Sequence, residues 1–350
     1  MKHQLLDLMR VLQRPVEITP TLRHLSYGIV NVRLRPQKRT LAIHQIRSII
    51  MKQQKWDSEN ISDQEGKVVI VTGSSSGLGF ETANVLASKK ATVVIAVRNE
   101  VKGDAAVKKI QVENPNADVQ MMLVDLADLE SIHRFAENFK KEFQKLDLLI
   151  NNAGVMNPPY TKTNDGFELQ FGTNHLGHFA LTGLLIDLIK NTPTSRIVNV
   201  SSTAHKIGNL NFDDLNWETR RYNKFRSYGD SKLANLYFTK ELQKRLGKQS
   251  SGIIVASAHP GASSTPLTRH SLFFRILSLI VQSSEMGALP TLYAAVGPDI
   301  QGNDYIGPGG FQETRGYPKK EEPAEHAKED DVAAKLWDVS EKMTGVSYLS

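Results

Sequence analysis

The sequence predicts an α/β fold: a single domain with a doubly wound, mostly parallel sheet of seven strands and helices on both faces. Three observations lead to this fold class. Short apolar runs alternate with longer helical patterns along most of the 350 residues, which is typical of βαβ units. The apolar runs are rich in β-branched residues, as expected for buried parallel strands. The chain is 40% hydrophobic, which is enough for one large domain with additions.

The predicted elements follow one another in strand–helix order, with right-handed crossovers. Strands are expected near residues 67–72, 91–97, 119–124, 147–151, 196–201, 252–258 and 304–306. Helices are expected near residues 78–89, 101–113, 129–144, 167–190, 228–247, 285–296 and 332–343. The charged stretch from Lys319 to Asp331 contains Pro323 and is predicted to be a solvated loop before the final helix.

A glycine-rich turn joins the first strand to the first helix. The apolar run that ends at Thr72 is followed by Gly73-Ser74-Ser75-Ser76-Gly77-Leu78-Gly79. In this order of strand, turn and helix, backbone N–H groups at the helix start can hold a pyrophosphate, and the glycines let it approach closely. A glycine-rich turn alone would be weak evidence, but its position between this strand and this helix predicts a dinucleotide site.

One tyrosine has a lysine four residues later, and this pair is Tyr228 and Lys232. On a helix the two side chains share a face. A nearby cation favours the phenolate, so we expect the pKa of Tyr228 to fall from about 10. Reaching about 7 would take roughly 4 kcal/mol, which an ammonium and a cationic nicotinamide could supply in a water-poor pocket. The pair therefore suits proton transfer to or from an oxygen.

Several further motifs accompany the glycine turn, whose spacing is T-G-x-x-x-G-x-G. They are Asn151-Asn152-Ala153-Gly154, Asn174, Ser201-Ser202, Tyr228 with Lys232, and Pro260-Gly261. In this order, over about residues 60 to 312, the sequence resembles the short-chain dehydrogenase/reductase family. The segment between Ser202 and Tyr228, the run at 230–235 and the Gly316-Tyr317-Pro318 tail look like its retinol-dehydrogenase-like branch.

The resemblance implies a Rossmann-type domain and divides the chain into three parts. Residues 1–57 would be a basic, poorly ordered N-terminal extension. Residues 58–312 would be the NAD(P)-binding catalytic domain, with a lid at about 262–284. Residues 313–350 would be a C-terminal tail with the final helix.

The resemblance also implies a catalytic set: Asn174, Ser202, Tyr228 and Lys232. Tyr228 would be the general acid/base, and Ser202 would hold the substrate oxygen, with Ser201 in support. Lys232 would lower the pKa of Tyr228 and bind the nicotinamide ribose. Asn174 would kink its helix and hold a water linked to the lysine. The implied reaction is hydride transfer between the cofactor and a carbonyl or alcohol.

Cofactor preference is predicted from the end of the second strand, where Val97 is followed by Arg98. An acid at this place would bind the adenosine ribose and repel a 2′-phosphate, whereas a guanidinium matches phosphate geometry. The sequence therefore predicts that NADP(H) is preferred over NAD(H). By family position, Asp125 and Leu126 would contact the adenine, although an Asp at a strand end is more often a helix cap.

The family positions imply further cofactor contacts. Pro260 and Gly261 would frame the nicotinamide, Thr265 would bond its carboxamide or the pyrophosphate, and Asn152 would also brace neighbouring strands. The expected cofactor-binding residues are Gly73, Ser75, Ser76, Gly77, Leu78, Gly79, Arg98, Asp125, Leu126, Asn152, Ala153, Gly154, Tyr228, Lys232, Pro260, Gly261 and Thr265.

Other chemistries are disfavoured by the sequence. Cysteine is absent, which excludes disulfides and thiolate metal ligands. His175 and His178 lie three residues apart without a third ligand pattern, so we interpret them as hydrogen-bonded helix histidines and expect no metal. Neither Ser201 nor Ser202 lies in a G-x-S-x-G elbow, which argues against a hydrolase.

The positive charge of the chain is concentrated at its start. Residues 1–50 hold nine Lys/Arg and two Asp/Glu, a net of +7, so the overall +6 leaves −1 for residues 51–350. No nucleic-acid partner is therefore expected for the domain. The basic segment could be a targeting signal or contact a membrane surface, or translation could start at Met51. With no long apolar stretch we expect no membrane span and a cytoplasmic protein.

The substrate is predicted from the apolar stretch Leu272 to Val281 in the lid. It favours an apolar carbonyl or alcohol, but it could equally pack on the core or on a partner subunit of a homo-oligomer. Two alternatives to this activity remain: a catalytically silent nucleotide-sensing regulator, and a double-bond reductase like protochlorophyllide reductase. The intact Tyr228–Lys232 pair argues against the first, and the absence of cysteine argues against the second.

Overall fold

The computed structural model of the chain describes residues 55–249, 252–261 and 282–349. Several predictions fall on residues outside these ranges. They concern the basic extension through residue 54, most of the lid at 262–284 with its apolar stretch, and Thr265.

The described residues form an eight-stranded sheet in the order β3-β2-β1-β4-β5-β6-β7-β8. The first seven strands are parallel, which confirms the predicted sheet. The strands are β1 Val68–Thr72, β2 Thr92–Val97, β3 Val119–Leu123, β4 Leu148–Asn151, β5 Arg196–Val200, β6 Ile254–Ala258, β7 Tyr305–Pro308 and β8 Pro318–Glu321. The strand order reverses between β1 and β4, where open α/β sheets bind their ligands.

The helices lie close to their predicted positions. They are α1 Gly77–Ser88, α2 Glu100–Glu113, α3 Leu129–Glu142, α4 Leu169–Phe171, α5 Gly177–Lys190, α6 Lys224–Gln249, α7 Ser284–Val296 and α8 Asp330–Thr344. A π-helical turn, Gly172–Leu176, joins α4 to α5. No helix among the described residues is long and apolar enough to cross a membrane.

The sheet is covered on both faces, so its central strands are apolar throughout. Within β1, Ile70 packs in one core with residues of α3, α5 and α6. Its neighbours Val69 and Val71 pack in a second core with residues of α1, α2 and α7. All three valine and isoleucine side chains are fully buried. Burial on both faces explains why the strands appear in the sequence as unbroken apolar runs.

The prediction of a solvated loop from Lys319 to Asp331 is wrong in its first part. Pro318–Glu321 forms strand β8, antiparallel to β7 at the edge of the sheet. Lys319 and Lys320 are exposed, whereas the Glu321 side chain is only 4% exposed and hydrogen-bonds His259. An edge strand can carry charged side chains that discourage pairing with other chains, which makes its composition resemble a loop.

The C-terminal helix α8 belongs to the first apolar core. Trp337 packs against Phe179 of α5, with ring centroids 5.0 Å apart. The Tyr348 hydroxyl donates to the Phe179 carbonyl at 3.1 Å. A Cβ at Gly183 would lie 2.4 Å from the Tyr348 ring, so the tail fits closely onto α5.

Candidate active site

Two turns at the reversal point of the sheet pack directly against each other. Gly73 ends β1 with a φ of +67°, and a Cβ there would lie 2.8 Å from the Ala153 Cα. A Cβ at Gly79 would lie 2.5 Å from the Asn152 Nδ2. Gly77, which begins α1, has a φ of +60°. The glycines of the fingerprint are therefore required by backbone conformation and by close approach, as predicted for a dinucleotide turn.

The start of α1 borders an open cavity. Ser76 is its N-cap residue but makes no side-chain cap hydrogen bond, so the first N–H groups of the helix lack that partner. A cavity of about 310 Å³ lies beside it, lined by Ser75, Ser76, Gly77, Phe80, Glu81, Lys102, Ala105, Ala106 and Lys109. Two lysines on α2 therefore face the serines of the glycine turn across this cavity.

The asparagines after β4 hold neighbouring strands together. Asn151 Nδ2 donates to Asn199 Oδ1 at 2.8 Å, which ties β4 to β5. Asn152 Nδ2 donates to the Thr72 carbonyl at 2.7 Å, which ties the turn to β1. The Thr72 hydroxyl also accepts from the backbone N–H groups of Asn152 and Ala153, each at 2.9 Å. The bracing predicted for Asn152 is thus present.

Residues after β2 and β3 lie at the same edge of the sheet. Arg98 directly follows β2 and is exposed. Asp125 is half-buried, and its Oδ1 accepts from the Ala127 N–H at 2.9 Å. The cap of α3 is Asp128, so the helix-cap alternative for Asp125 is wrong. Leu126 beside it is buried.

Tyr228 and Lys232 lie on α6, with the lysine Nζ 5.7 Å from the centroid of the tyrosine ring. The Nζ donates to the Val200 carbonyl at 2.9 Å, and burial lowers the pKa of Lys232 to about 8. Burial raises the pKa of Tyr228 to about 12, and the hydrogen bond with Ser202 opposes this only in part. The shift is opposite in direction to the expected lowering of the tyrosine pKa, because desolvation of the phenolate is its largest cause in the chain without a nicotinamide.

The two serines after β5 are placed differently. Ser201 is buried, and its hydroxyl donates to the Lys232 carbonyl at 2.8 Å. Ser202 is half-buried, and its Oγ accepts from the Ala204 N–H at 3.2 Å. Since the Ser202 hydroxyl partly offsets the rise in the pKa of Tyr228, Ser202 faces the tyrosine, while Ser201 fastens the strand end to α6.

Asn174 lies in the middle of the π-helical turn, where the helix departs from regular geometry as expected. Its Nδ2 donates to the Val155 carbonyl at 3.0 Å and to Ser231 Oγ at 2.9 Å. A Cβ at Gly154 would lie 3.1 Å from Asn174 Oδ1 and 3.5 Å from Lys232 Nζ. Asn174, Lys232 and the turn after β4 are thus brought together. Such single π turns often occur at functional sites.

The neighbouring histidines both make hydrogen bonds inside the core, although the buried Nδ1 of His175 has no partner among the described residues, so the predicted pattern is complete only for His178. His175 Nε2 lies 2.8 Å from Ser340 Oγ. His178 Nδ1 donates to the Asn174 carbonyl at 2.9 Å, which leaves its Nε2 to accept from the Thr72 hydroxyl at 2.9 Å. Burial lowers the pKa of His175 to about 3 and that of His178 to about 4, so both are neutral near pH 7.

The turn Pro260-Gly261 follows β6. Gly261 has a φ of +64°, and a Cβ there would lie 2.5 Å from the Thr314 carbonyl oxygen. Its N–H donates to His259 Nδ1 at 3.3 Å, and His259 Nε2 in turn donates to Glu321 Oε2 at 3.0 Å. His259, Glu313 and Glu321 have atoms of the kind that ligate metals within 4.8 Å of one another. Two of these residues, His259 and Glu321, are already partners in the hydrogen bond described above.

Sequence reasoning missed Ser231, His205 and the His259–Glu321 pair. Ser231 lies between Tyr228 and Lys232, and it binds Asn174, so its place in that motif was an available signal. The contacts of His205 and His259 join residues that are far apart in the chain, so no local spacing in the sequence predicts them.

Residues 67–272 match the short chain dehydrogenase family. The chain is 44% identical to Retinol dehydrogenase 13 of Homo sapiens over 294 residues, which are 80% of this chain and 85% of that protein. It is 42% identical to Retinol dehydrogenase 12 of Mus musculus, over 81% of this chain and 88% of that protein.

Solved structures give the same result for the fold. An uncharacterized protein from Mycobacterium Paratuberculosis superposes with a TM-score of 0.72 at 40% identity, covering 84% of this chain and 99% of that chain. A short chain dehydrogenase from Burkholderia cenocepacia in complex with NADP has a TM-score of 0.57 at 22% identity, covering 69% and 96%, and shows the fold alone.

Proposed function

The chain belongs to the short-chain dehydrogenase family, in its retinol-dehydrogenase-like branch, and from this premise we propose that it transfers hydride between NADP(H) and a carbonyl or alcohol of an apolar substrate. The protein is an oxidoreductase of CH–OH and C=O groups with a nicotinamide cofactor. The observation that carries the proposal is the convergence of Ser202, Tyr228, Lys232 and Asn174 at the reversal point of the sheet, beside the glycine turn.

The residues present fit a dinucleotide. The glycines let the two turns pack closely against each other at the reversal point of the sheet, and the uncapped first turn of α1 offers N–H groups to phosphate oxygens. Gly73, Gly77 and Gly79 would hold the pyrophosphate side, and Pro260 with Gly261 the nicotinamide side. When bound, the nicotinamide supplies a hydride for reduction or accepts one in oxidation.

Tyr228 would exchange the proton. In reduction its hydroxyl donates to the substrate oxygen while the Ser202 hydroxyl stabilises the charge that develops there. A tyrosine pKa of about 12 keeps the phenol protonated near pH 7, so it can donate the proton that carbonyl reduction needs. Oxidation would need the phenolate, and the Lys232 ammonium would then stabilise it. Asn174 would hold a water that connects Lys232 to solvent.

A preference for NADP(H) is supported by charge at the adenosine end. Arg98 follows β2, where a guanidinium can bind a 2′-phosphate bidentately. Two lysines, Lys102 and Lys109, and one acid, Glu81, line the cavity beside Ser75 and Ser76, which leaves a net positive charge there. We therefore infer that the 2′-phosphate is bound by Arg98 in a basic environment.

An apolar substrate is supported by hydrophobic side chains near Tyr228. Phe225 lies three residues before Tyr228 on α6 and is 56% exposed. Ile207 is also 56% exposed. It packs over Gly229, the residue after Tyr228, where a Cβ would lie 3.0 Å from the Ile207 Cγ1. Exposed apolar patches of this kind often mark ligand grooves. The names of the relatives make retinol and its aldehyde the first substrates to test.

The test is an NADPH-consumption screen over retinaldehyde, other apolar aldehydes, ketones and quinones. We expect turnover of one or more apolar carbonyls. NADPH binding without turnover of any carbonyl would contradict the proposal and favour the nucleotide-sensing alternative. Turnover confined to a conjugated double bond would favour the alternative reductase.

A further inference from the structure

A buried histidine holds the backbone of Ser202. His205 lies on a short 3-10 helix, Thr203–Ile207, whose N-cap is Ser202, and its side chain is fully buried. His205 Nδ1 lies 2.7 Å from the Ser202 carbonyl oxygen. A carbonyl oxygen only accepts hydrogen bonds, so Nδ1 carries the proton and donates it.

The other side of the same imidazole binds the C-terminal part of the chain. The Ala324 N–H donates to His205 Nε2 at 3.1 Å, which requires Nε2 to be unprotonated. The two partners therefore fix one neutral tautomer. Burial lowers the pKa of His205 to about 4, so the ring remains neutral over the physiological range. His326 Nε2 also donates to the His205 carbonyl, at 3.2 Å.

The segment Pro318–Lys328, which we call the C-terminal buttress, contacts both turns of the site. It contains β8 and a 3-10 turn, Glu325–Lys328. Besides the link from Ala324 through His205 to Ser202, its Glu321 binds His259, which accepts from Gly261. The Tyr305 ring lies between the two imidazoles, with centroids 5.5 Å from His205 and 5.1 Å from His259.

We propose that His205, whose ring accepts from Ala324 of the C-terminal buttress, is a positioning residue that orients Ser202 through its Nδ1–H. This inference rests on the proposed function, in which Ser202 holds the substrate oxygen. The Ser202 carbonyl and hydroxyl belong to one residue at the start of a short helix, so rotation of its peptide group moves the hydroxyl away from Tyr228. Small displacements of an oxyanion donor cost rate rather than cofactor binding.

Two substitutions distinguish the contact of His205 Nδ1 with Ser202 from the contact of His205 Nε2 with Ala324. In His205→Asn the amide nitrogen takes the place of Nδ1 and can still donate to Ser202, but Ala324 loses its acceptor. In His205→Gln the longer amide reaches the place of Nε2 and can accept from Ala324, but the Ser202 carbonyl loses its side-chain donor and keeps only the backbone N–H of residue 205, which lies 3.0 Å from it. Both variants keep a polar group in the buried site, which favours folding.

The full-length protein is assayed for NADPH-dependent reduction of the best carbonyl from the screen. We expect His205→Gln to lower kcat by about 10- to 100-fold, as for loss of one positioned donor. His205→Asn should retain most of kcat, although it is destabilised to a similar degree. The NADPH dissociation constant should be unchanged in both. His133→Gln, an exposed substitution on α3, is the control.

Equal kcat in the Asn and Gln variants, or kcat that follows their melting temperatures, would overturn the positioning role. Amide hydrogen exchange across residues 200–208 gives a second readout that needs no substrate. We expect faster exchange there in His205→Gln than in His205→Asn, and equal exchange would also overturn the inference. A wild-type protein that turns over no carbonyl would instead contradict the proposed function, while the exchange result would still decide whether His205 holds this turn.

Discussion

In the candidate active site, burial and the surrounding polar and charged groups act on the pKa of Tyr228 in opposite directions. Desolvation raises it to about 12, and the Ser202 hydroxyl lowers it only in part. Lys232 bonds the Val200 carbonyl and lies beside the phenol ring, so its effect on the hydroxyl is small in this arrangement. Binding a cationic nicotinamide would add a second positive charge and shift the balance toward the phenolate.

Removing the phenol hydroxyl tests its role in proton transfer. We predict that Tyr228→Phe abolishes turnover while NADPH still binds with little change, because the ring and its packing remain. Stopped-flow NADPH oxidation and fluorescence titration measure the two quantities. Tyr293→Phe is the matched control, since that hydroxyl bonds Asp299 away from the crevice. Near-normal turnover in a folded Tyr228→Phe protein would show that another group transfers the proton.

Arg98 is the residue on which cofactor preference depends most directly. We predict that Arg98→Ala raises the NADPH dissociation constant by about 10- to 100-fold, which corresponds to 1.5–3 kcal/mol for a hydrogen-bonded charge. The NADH dissociation constant should change much less, because NADH lacks the 2′-phosphate. Isothermal titration with both cofactors measures this. Arg134→Ala, which removes an exposed arginine paired with Glu130, should change neither constant. Equal losses for both cofactors would exclude a 2′-phosphate contact.

Among the elements, those whose identity depends on local composition were predictable. The β-branched run at Val68–Thr72 is buried on both faces, so its sequence alone indicates a parallel strand. The pair Tyr228 and Lys232 was predictable because a helix fixes the relation of residues four apart. Strand β8 was not, because its Pro-Lys-Lys-Glu sequence contains no apolar residue and it pairs only through its backbone and a buried Glu321.

Elements of the site that depend on tertiary contacts escaped prediction for a different reason. The Ala324 N–H and His205 are 119 residues apart in the chain, so no spacing rule connects them. The rise in the tyrosine pKa was missed because burial depends on the packing of Tyr228, which the sequence does not specify. The π turn was predicted only as a kink at Asn174, because the partners to which the Asn174 side chain donates, Val155 and Ser231, are far from it in the chain.

For the whole molecule, the buried neutral histidines determine how stability depends on pH. His175, His178 and His205 have pKa values of about 3, 4 and 4 in the folded chain, lowered from 6.5 chiefly by burial. Below pH 6.5 the unfolded chain therefore binds three protons that the folded chain excludes. Asp230 offsets one of these three protons. Burial raises its pKa to about 6, so the folded chain binds a proton there that the unfolded chain does not. Stability should be full above pH 6.5 and fall as the pH drops toward 4.

We predict that the free energy of unfolding falls by about 3 kcal/mol per pH unit between pH 6 and 5, because the unfolded chain binds about two more protons than the folded chain in this range. Urea unfolding followed by tryptophan fluorescence at several pH values measures it. In His205→Gln the slope should decrease by about one proton, while His133→Gln, at an exposed position, should keep the wild-type slope. A free energy of unfolding that is constant from pH 7 to 5 would contradict neutral burial of these rings.

The basic extension raises the remaining question at the scale of the molecule. Residues 1–50 carry a net charge of +7 but none of the motifs of the site, and Lys55–Ser350 forms a compact unit by itself. The sequence of a basic segment with few long apolar runs offers little apolar surface to offset the entropy of ordering it. We therefore propose that the extension is dispensable for folding and catalysis.

The corresponding prediction is that protein beginning at Met51 folds, binds NADPH and turns over carbonyls like the full chain. Its melting temperature should differ by less than about 2 °C, which is under about 1 kcal/mol for a domain of this size. Scanning calorimetry and the NADPH-consumption assay measure both properties against the full chain. A large loss of either would mean that the extension packs on the catalytic domain. Unchanged activity together with lost binding to anionic lipid vesicles, measured at low and high salt, would instead assign the extension to membrane or organelle association.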